Sequence, residues 1–189
     1  MVELEEGPSA EELKNQGNDA LKKGDIYEAI EKYTESLGMC LFLFHIINKI
    51  WFVELVKNEG VYTNRAMAYI KLTKWKEALF DCEQALVVNP QFSKGHLRAA
   101  SCYKNQGMLD KAKVALEMAQ LLGDESAKTQ LPFISELFKM DEYAVKATTN
   151  KNFREALSYL RKILESCPNS VRHLCLLLEN MVEDSPNDL

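Results

Sequence analysis

Proline and glycine are scarce in this 189-residue chain, at five and eight residues. Turn-dense sheet folds need more of both, and abundant Leu, Ala, Glu and Lys favour helices instead. A basic excess is also missing. Lys and Arg number 23 against 28 Asp and Glu, interleaved along the chain, so nucleic acid is not an expected partner. Paired cysteines are missing too. Cys40, Cys82, Cys102, Cys167 and Cys175 make an odd number with no C-x-x-C spacing. That usage fits reduced thiols in a cytoplasmic protein, with Cys82 and Cys102 as small apolar core residues. The opening MVELEEGPSAEEL is acidic and polar and reads as neither a signal nor a transit peptide.

Catalytic signatures are equally thin. His45, His96 and His173 lie far apart, and no HExxH or Cys/His spacing joins them, so no metal is expected. There is no GxxxxGK[ST], no GxSxG, and no Ser/His/Asp set that the fold is expected to gather. Gly24-Asp25 and Asn105-Gln106-Gly107 read as turns, not phosphate loops. The chain is therefore read as a binding protein without cofactor, not as an enzyme.

What is present is a repeat. A small residue is followed three later by a second small or aromatic residue, and nine after that by alanine. The copies are Gly17/Ala20/Ala29, Ala66/Tyr69/Ala78, Ala100/Tyr103/Ala112 and Ala144/Ala147/Ala156. Three before each late alanine stands Ile26, Trp75, Leu109 or Phe153; four after it stands Tyr33, Cys82, Leu116 or Leu160. Pro90 and Pro168 close copies two and four. Each copy is expected to be two antiparallel amphipathic helices, A then B, with small residues where axes approach and bulky ones beside them. Trp75, Tyr69 and Tyr103 are expected in the packing. The pattern resembles the tetratricopeptide (TPR) family. The resemblance implies an all-α fold, a superhelix of about four helix-turn-helix repeats, plus a terminal helix from Val171 to Met181.

Two interruptions break the period. Copy three follows copy two at the regular step of 34 residues, but Gly17 to Ala66 is 49, a surplus of 15. The surplus holds Leu41–Val56 (LFLFHIINKIWFVELV), the most apolar stretch of the chain. Its 16 residues carry His45, Asn48, Lys49 and Glu54, too short and too polar for a membrane span of about 20 apolar residues. It reads as an extension of the first B helix, as a self-association segment, or as a retained in-frame insertion of a splice form. The second interruption is a looser segment at 124–134. The expected organisation is a disordered tail at 1–9 and a three-repeat clamp domain at 10–123 with the apolar insertion at about 38–58. A linker and the start of a second module follow at 124–182, then a tail at 183–189.

The A helices carry a second stripe, facing a groove. It holds Lys14 and Asn18 from repeat one, Asn64 from repeat two, and Lys94 and Arg98 from repeat three. Three cations and two amides, with no carboxylate among the five positions, suit a doubly anionic peptide terminus. The segments LKNQGNDALKKGD, YTNRAMAYIKL and FSKGHLRAA resemble the carboxylate-clamp TPR domains of co-chaperones. That resemblance implies that Lys14, Asn18, Asn64, Lys94 and Arg98 bind the C-terminal EEVD tails of the seventy- and ninety-kilodalton heat-shock chaperones. The run DEYAVKATTNKNFREALSYLRKILESCPNSVRHL is similar to the TPR-containing DnaJ co-chaperones of the subfamily C member seven type. No HPD tripeptide accompanies it, so the chain reads as a truncated form without a J domain. The alternative is a TPR scaffold in a multiprotein complex that binds no such tail. The insertion lies between Asn18 and Asn64 and bears on whether the groove survives.

Overall fold

The computed structural model describes residues 7–46 and 58–184, with side chains described for 7–39 and 58–184. Residues 1–6 and 185–189 of the expected tails, and 47–57 of the apolar insertion, lie outside the described residues. Among the described residues there are nine helices and no strand: α1 (Ala10–Lys23), α2 (Ile26–Ile46), α3 (Glu59–Lys71), α4 (Trp75–Val88), α5 (Ser93–Asn105), α6 (Leu109–Leu121), α7 (Glu125–Thr149), α8 (Phe153–Ser166) and α9 (Val171–Asp184). The chain divides into two compact units, Met1–Arg98 and Ala99–Leu189. The division falls within α5, not at 123 where the sequence suggests the first domain ends.

Local chemistry sets the helix ends. Ser9 caps α1 in a reciprocal box: its hydroxyl accepts from the Glu12 N–H at 3.2 Å, and the Glu12 carboxylate accepts from the Ser9 N–H at 2.7 Å. Gly24 ends α1 in the left-handed region, at φ 92°, and Asp25 N–H reaches back to the Ala20 carbonyl at 3.0 Å. Pro90 and Pro168 follow the ends of α4 and α8, as a residue without N–H should.

In the first unit α1 packs on α2, α2 on α3, and α3 on α4. Ala20, Ala29, Tyr33, Leu37 and Val61 form one buried cluster. Gly17 shows why a small residue holds the first landmark. A Cβ there would lie 2.7 Å from the Tyr33 ring, which is itself fully buried. A bidentate pair ties α3 to α4: Arg65 donates to both Asp81 carboxylate oxygens at 2.7 and 2.8 Å, and to the Thr34 hydroxyl of α2 at 3.0 Å. In the second unit α6 packs on α7, α7 on α8, and α8 on α9.

Every alanine of the repeat landmarks is buried, as are Tyr33, Cys82, Leu116 and Leu160. Tyr69, Trp75 and Tyr103 are half-buried, sharing their rings between the packing and the surface. The segment 124–134 is not loose. Asp124 caps α7 by accepting from Ser126 and Ala127 N–H, and Ala127, Ile134 and Leu137 continue a buried helical face through Pro132. The longer step between copies three and four is thus extra helix, because capping and apolar periodicity outweigh the one N–H that Pro132 lacks. Residues 41–46 extend α2.

Candidate functional site

The five stripe residues all belong to the first unit, on α1, α3 and the first turns of α5. Three of them meet. The Asn18 side-chain oxygen accepts from the Asn64 amide nitrogen at 2.9 Å, across 46 residues of chain. The Asn64 oxygen in turn accepts from the Arg98 guanidinium at 3.4 Å. The 15 surplus residues between Asn18 and Asn64 therefore do not separate them.

A fourth member was not legible as functional. Tyr33, which the repeat pattern marks only as packing, donates its hydroxyl to the same Asn18 oxygen at 2.9 Å. Burial pushes the Tyr33 phenol up to about 12, with the Arg98 charge opposing, so it stays a neutral donor at ordinary pH. Asn18 thus takes two donors, Tyr33 and Asn64, on one side-chain oxygen. The signal in the sequence was a hydroxyl on the B-helix residue sixteen after Gly17, where Cys82, Leu116 and Leu160 stand in the other copies.

The cations differ in their surroundings. Lys14 is held by the exposed Glu11 carboxylate one turn earlier, at 2.6 Å. Such a surface pair contributes about 0–1 kcal/mol and yields readily to a better anion. Lys94 is exposed, one turn before Arg98 on α5, and makes no ion pair among the described residues. Arg98 is half-buried and likewise has no carboxylate partner among them. Its burial lowers the guanidinium below the usual arginine range, offset in part by Cys82 and Tyr33. Arg65 shows the contrast: its burial is answered by Asp81, whose carboxylate holds the guanidinium above the usual range. Arg98 carries the same kind of desolvation cost without an anion to offset it.

The second unit corrects one expectation. It does gather a serine, a histidine and an aspartate. The Ser170 hydroxyl meets His173 Nδ1, and His173 Nε2 meets Asp141 Oδ1 at 3.1 Å. Arg172 donates to the other Asp141 oxygen at 2.8 Å. Ser170 and His173 are fully buried, and the serine oxygen also caps α9 by accepting from His173 N–H at 3.4 Å. An open cleft of about 570 Å³ reaches Asp141 and Arg172 but neither Ser170 nor His173. The set locks α9 onto α7, and its hydroxyl is out of reach of a substrate. His96 binds the Pro90 carbonyl at 2.9 Å. Among the described residues no group of three or more His, Cys, Asp or Glu could hold a metal ion, and no helix is long and apolar enough to cross a membrane.

Known proteins resemble both the sequence and the fold. The family description "Tetratricopeptide repeat" matches residues 60–92 and again 96–120. The second TPR domain of human RPAP3, solved in complex with the HSP70 peptide SGPTIEEVD, is 32% identical; the likeness covers 67% of this chain and 94% of that one, at a TM-score of 0.54. The chain belongs to the tetratricopeptide-repeat family. The first TPR of Spaghetti (RPAP3), bound to the HSP90 peptide SRMEEVD, is 28% identical at a TM-score of 0.58, covering 69% of this TPR chain and 94% of that one. Human DnaJ homolog subfamily C member 7 is 28% identical over 172 residues, 90% of this chain. This TPR chain spans 32% of that relative's length.

Proposed function

We propose that this TPR chain is a cytoplasmic co-chaperone adaptor, not an enzyme, that binds the C-terminal EEVD tails of the seventy- and ninety-kilodalton heat-shock chaperones. Lys14, Asn18, Asn64, Lys94 and Arg98 form the two-carboxylate clamp. The observation that carries the reading is Arg98: a half-buried cation, hydrogen-bonded to the Asn64–Asn18 pair, with no carboxylate among the described residues. An incoming aspartate at a chain terminus supplies two. Support comes from the RPAP3 domains, whose solved complexes hold peptides ending in EEVD.

Charge-assisted hydrogen bonds contribute about 1.5–3 kcal/mol each. A few of them, less the cost of association, give roughly micromolar affinity. The test is a fluorescence titration with a peptide ending in EEVD and the same peptide amidated at its C-terminus. The free acid binds, more weakly at high salt, and the amide does not. Arg98→Ala and Lys14→Ala each weaken binding by tenfold or more, about 1.4 kcal/mol. Equal binding of the two peptides rejects the clamp and leaves a scaffold without tail binding.

A further inference from the structure

The stripe of the first unit follows a fixed register. Its residues stand six, three or two before the small landmark of their A helix, or one after it. Lys94 and Arg98 precede Ala100 in this way, Asn64 precedes Ala66, and Lys14 and Asn18 flank Gly17. On α7 the landmark is Ala144, and the same four places hold Phe138, Asp141, Glu142 and Val145. All four line the open cleft of about 570 Å³ in the second unit. α7 lies inside that unit, packed on α6 and on α8. The register thus sets out a second groove with reversed chemistry. Apolar and acidic side chains stand where the first stripe has cations and amides.

Which charges remain free decides what the groove accepts. Asp141 is engaged inside the fold, by His173 Nε2 at 3.1 Å and by Arg172 at 2.8 Å, and Arg172 is engaged with it. Lys113 of α6 lies over the Phe138 ring at 5.4 Å and 3.9 Å from Glu117. Asp110 and Glu142 also line the cleft, both exposed, and neither makes an ion pair among the described residues. Lys146 lines it one turn beyond Glu142 and is likewise without an ion pair among them. Two free carboxylates against one free ammonium repel an acidic tail and favour a basic residue. From Phe138 to Val145 the helix rises about 10 Å, roughly the length of three extended residues. Small molecules bind in concave sites that bury most of their surface, whereas an open cleft suits a chain segment that continues past both ends.

We propose that this groove is a second peptide site, whose ligand is an extended internal segment of a partner protein with a lysine or arginine beside a bulky apolar residue. The ligand's cation meets Asp110 and Glu142, and its apolar neighbour covers Phe138 and Val145. Lys146 sets the direction, because the cation lies toward Asp110 and away from that ammonium. The site belongs to the second unit and does not rest on the clamp of the first.

The test is selection on the immobilised full chain from a library of random heptapeptides, acetylated and amidated so that no terminal carboxylate remains. The wild type enriches arginine or lysine next to a leucine, isoleucine, valine or phenylalanine. The double variant Asp110→Asn with Glu142→Lys changes exposed positions and keeps the far-ultraviolet circular dichroism spectrum. It loses that enrichment and gains aspartate and glutamate instead. In a fluorescence titration with a selected peptide, Val145→Asp weakens binding tenfold or more. No enrichment by the wild type, enrichment of acidic residues by it, a basic preference that survives in the double variant, or an affinity indifferent to Val145→Asp each overturns the proposal.

Discussion

Tyr33 joins helix packing and the Asn18 hydrogen bond in one side chain. Its ring fills the space that Gly17 leaves open, and its hydroxyl orients Asn18. Tyr33→Phe keeps the ring and removes one hydrogen bond, about 1 kcal/mol. The expected result is an EEVD-peptide affinity reduced severalfold with the fold intact, read by titration alongside circular dichroism. The same residue sets an alkaline limit. A tyrosine ordinarily ionises near pH 10, and folded Tyr33 does so only at about 12. Its contribution is therefore complete below pH 10 and is lost as pH rises from there to about 12, while the unfolded chain gains phenolate. Denaturant melts across that range slope downward in the wild type and less steeply in Tyr33→Phe. Part of this was legible in the sequence: the A-helix register marks a stripe of five residues, of which the structure joins Asn18, Asn64 and Arg98 by hydrogen bonds. The Tyr33 role was not, because a hydroxyl inside a packed row looks like any other bulky residue until its partner's position is known.

Elements are held apart or brought together by single atoms here. Gly17→Ala sets a Cβ 2.7 Å from a ring with nowhere to go, so α1 must shift on α2. Overpacking of this kind costs about 1–3 kcal/mol. Because the shift moves Asn18, peptide affinity falls together with the melting temperature in that variant. Helix existence and order were readable from alanine spacing, the turn residues and the closing prolines Pro90 and Pro168. The length of α7 was not. Its first turns carry Pro132 and few large apolar residues, and only Ala127, Ile134 and Leu137 facing inward show that the helix continues through them. The Ser170–His173–Asp141 set was hidden for a related reason. Asp141 lies about thirty residues from the other two, and nothing local ties them until α9 docks on α7.

At the scale of the molecule, the two units respond to acid differently. Burial raises the Asp141 carboxyl, but the His173 hydrogen bond and the Arg172 charge outweigh it and hold it below the usual aspartate range. A depressed carboxyl contributes its full stabilisation above the ordinary aspartate pKa of about 3.9 and loses it as pH falls through the folded value. Acid titration followed by circular dichroism shows the second unit losing stability below about pH 4, and Asp141→Asn flattens that limb. In the first unit burial raises the Asp81 carboxyl and Arg65 opposes it, so no comparable acid limb arises from that pair. The division of the chain inside α5 was beyond the reach of repeat spacing, since the periodic landmarks run through residue 98 without a break.

Asn18 and Asn64 both turn their carbonyl oxygens toward neighbours in the fold. Both amide oxygens are consequently engaged within the fold, and the exposed acceptor beside Lys14 is the Glu11 carboxylate at 2.6 Å. On the proposed reading, a visitor ending in an amine or a lysine side chain finds those two oxygens already taken, whereas a carboxylate can accept from the Arg98 guanidinium. On the proposed clamp reading, discrimination by sign follows from hydrogen bonds made as the chain folds, before any tail arrives.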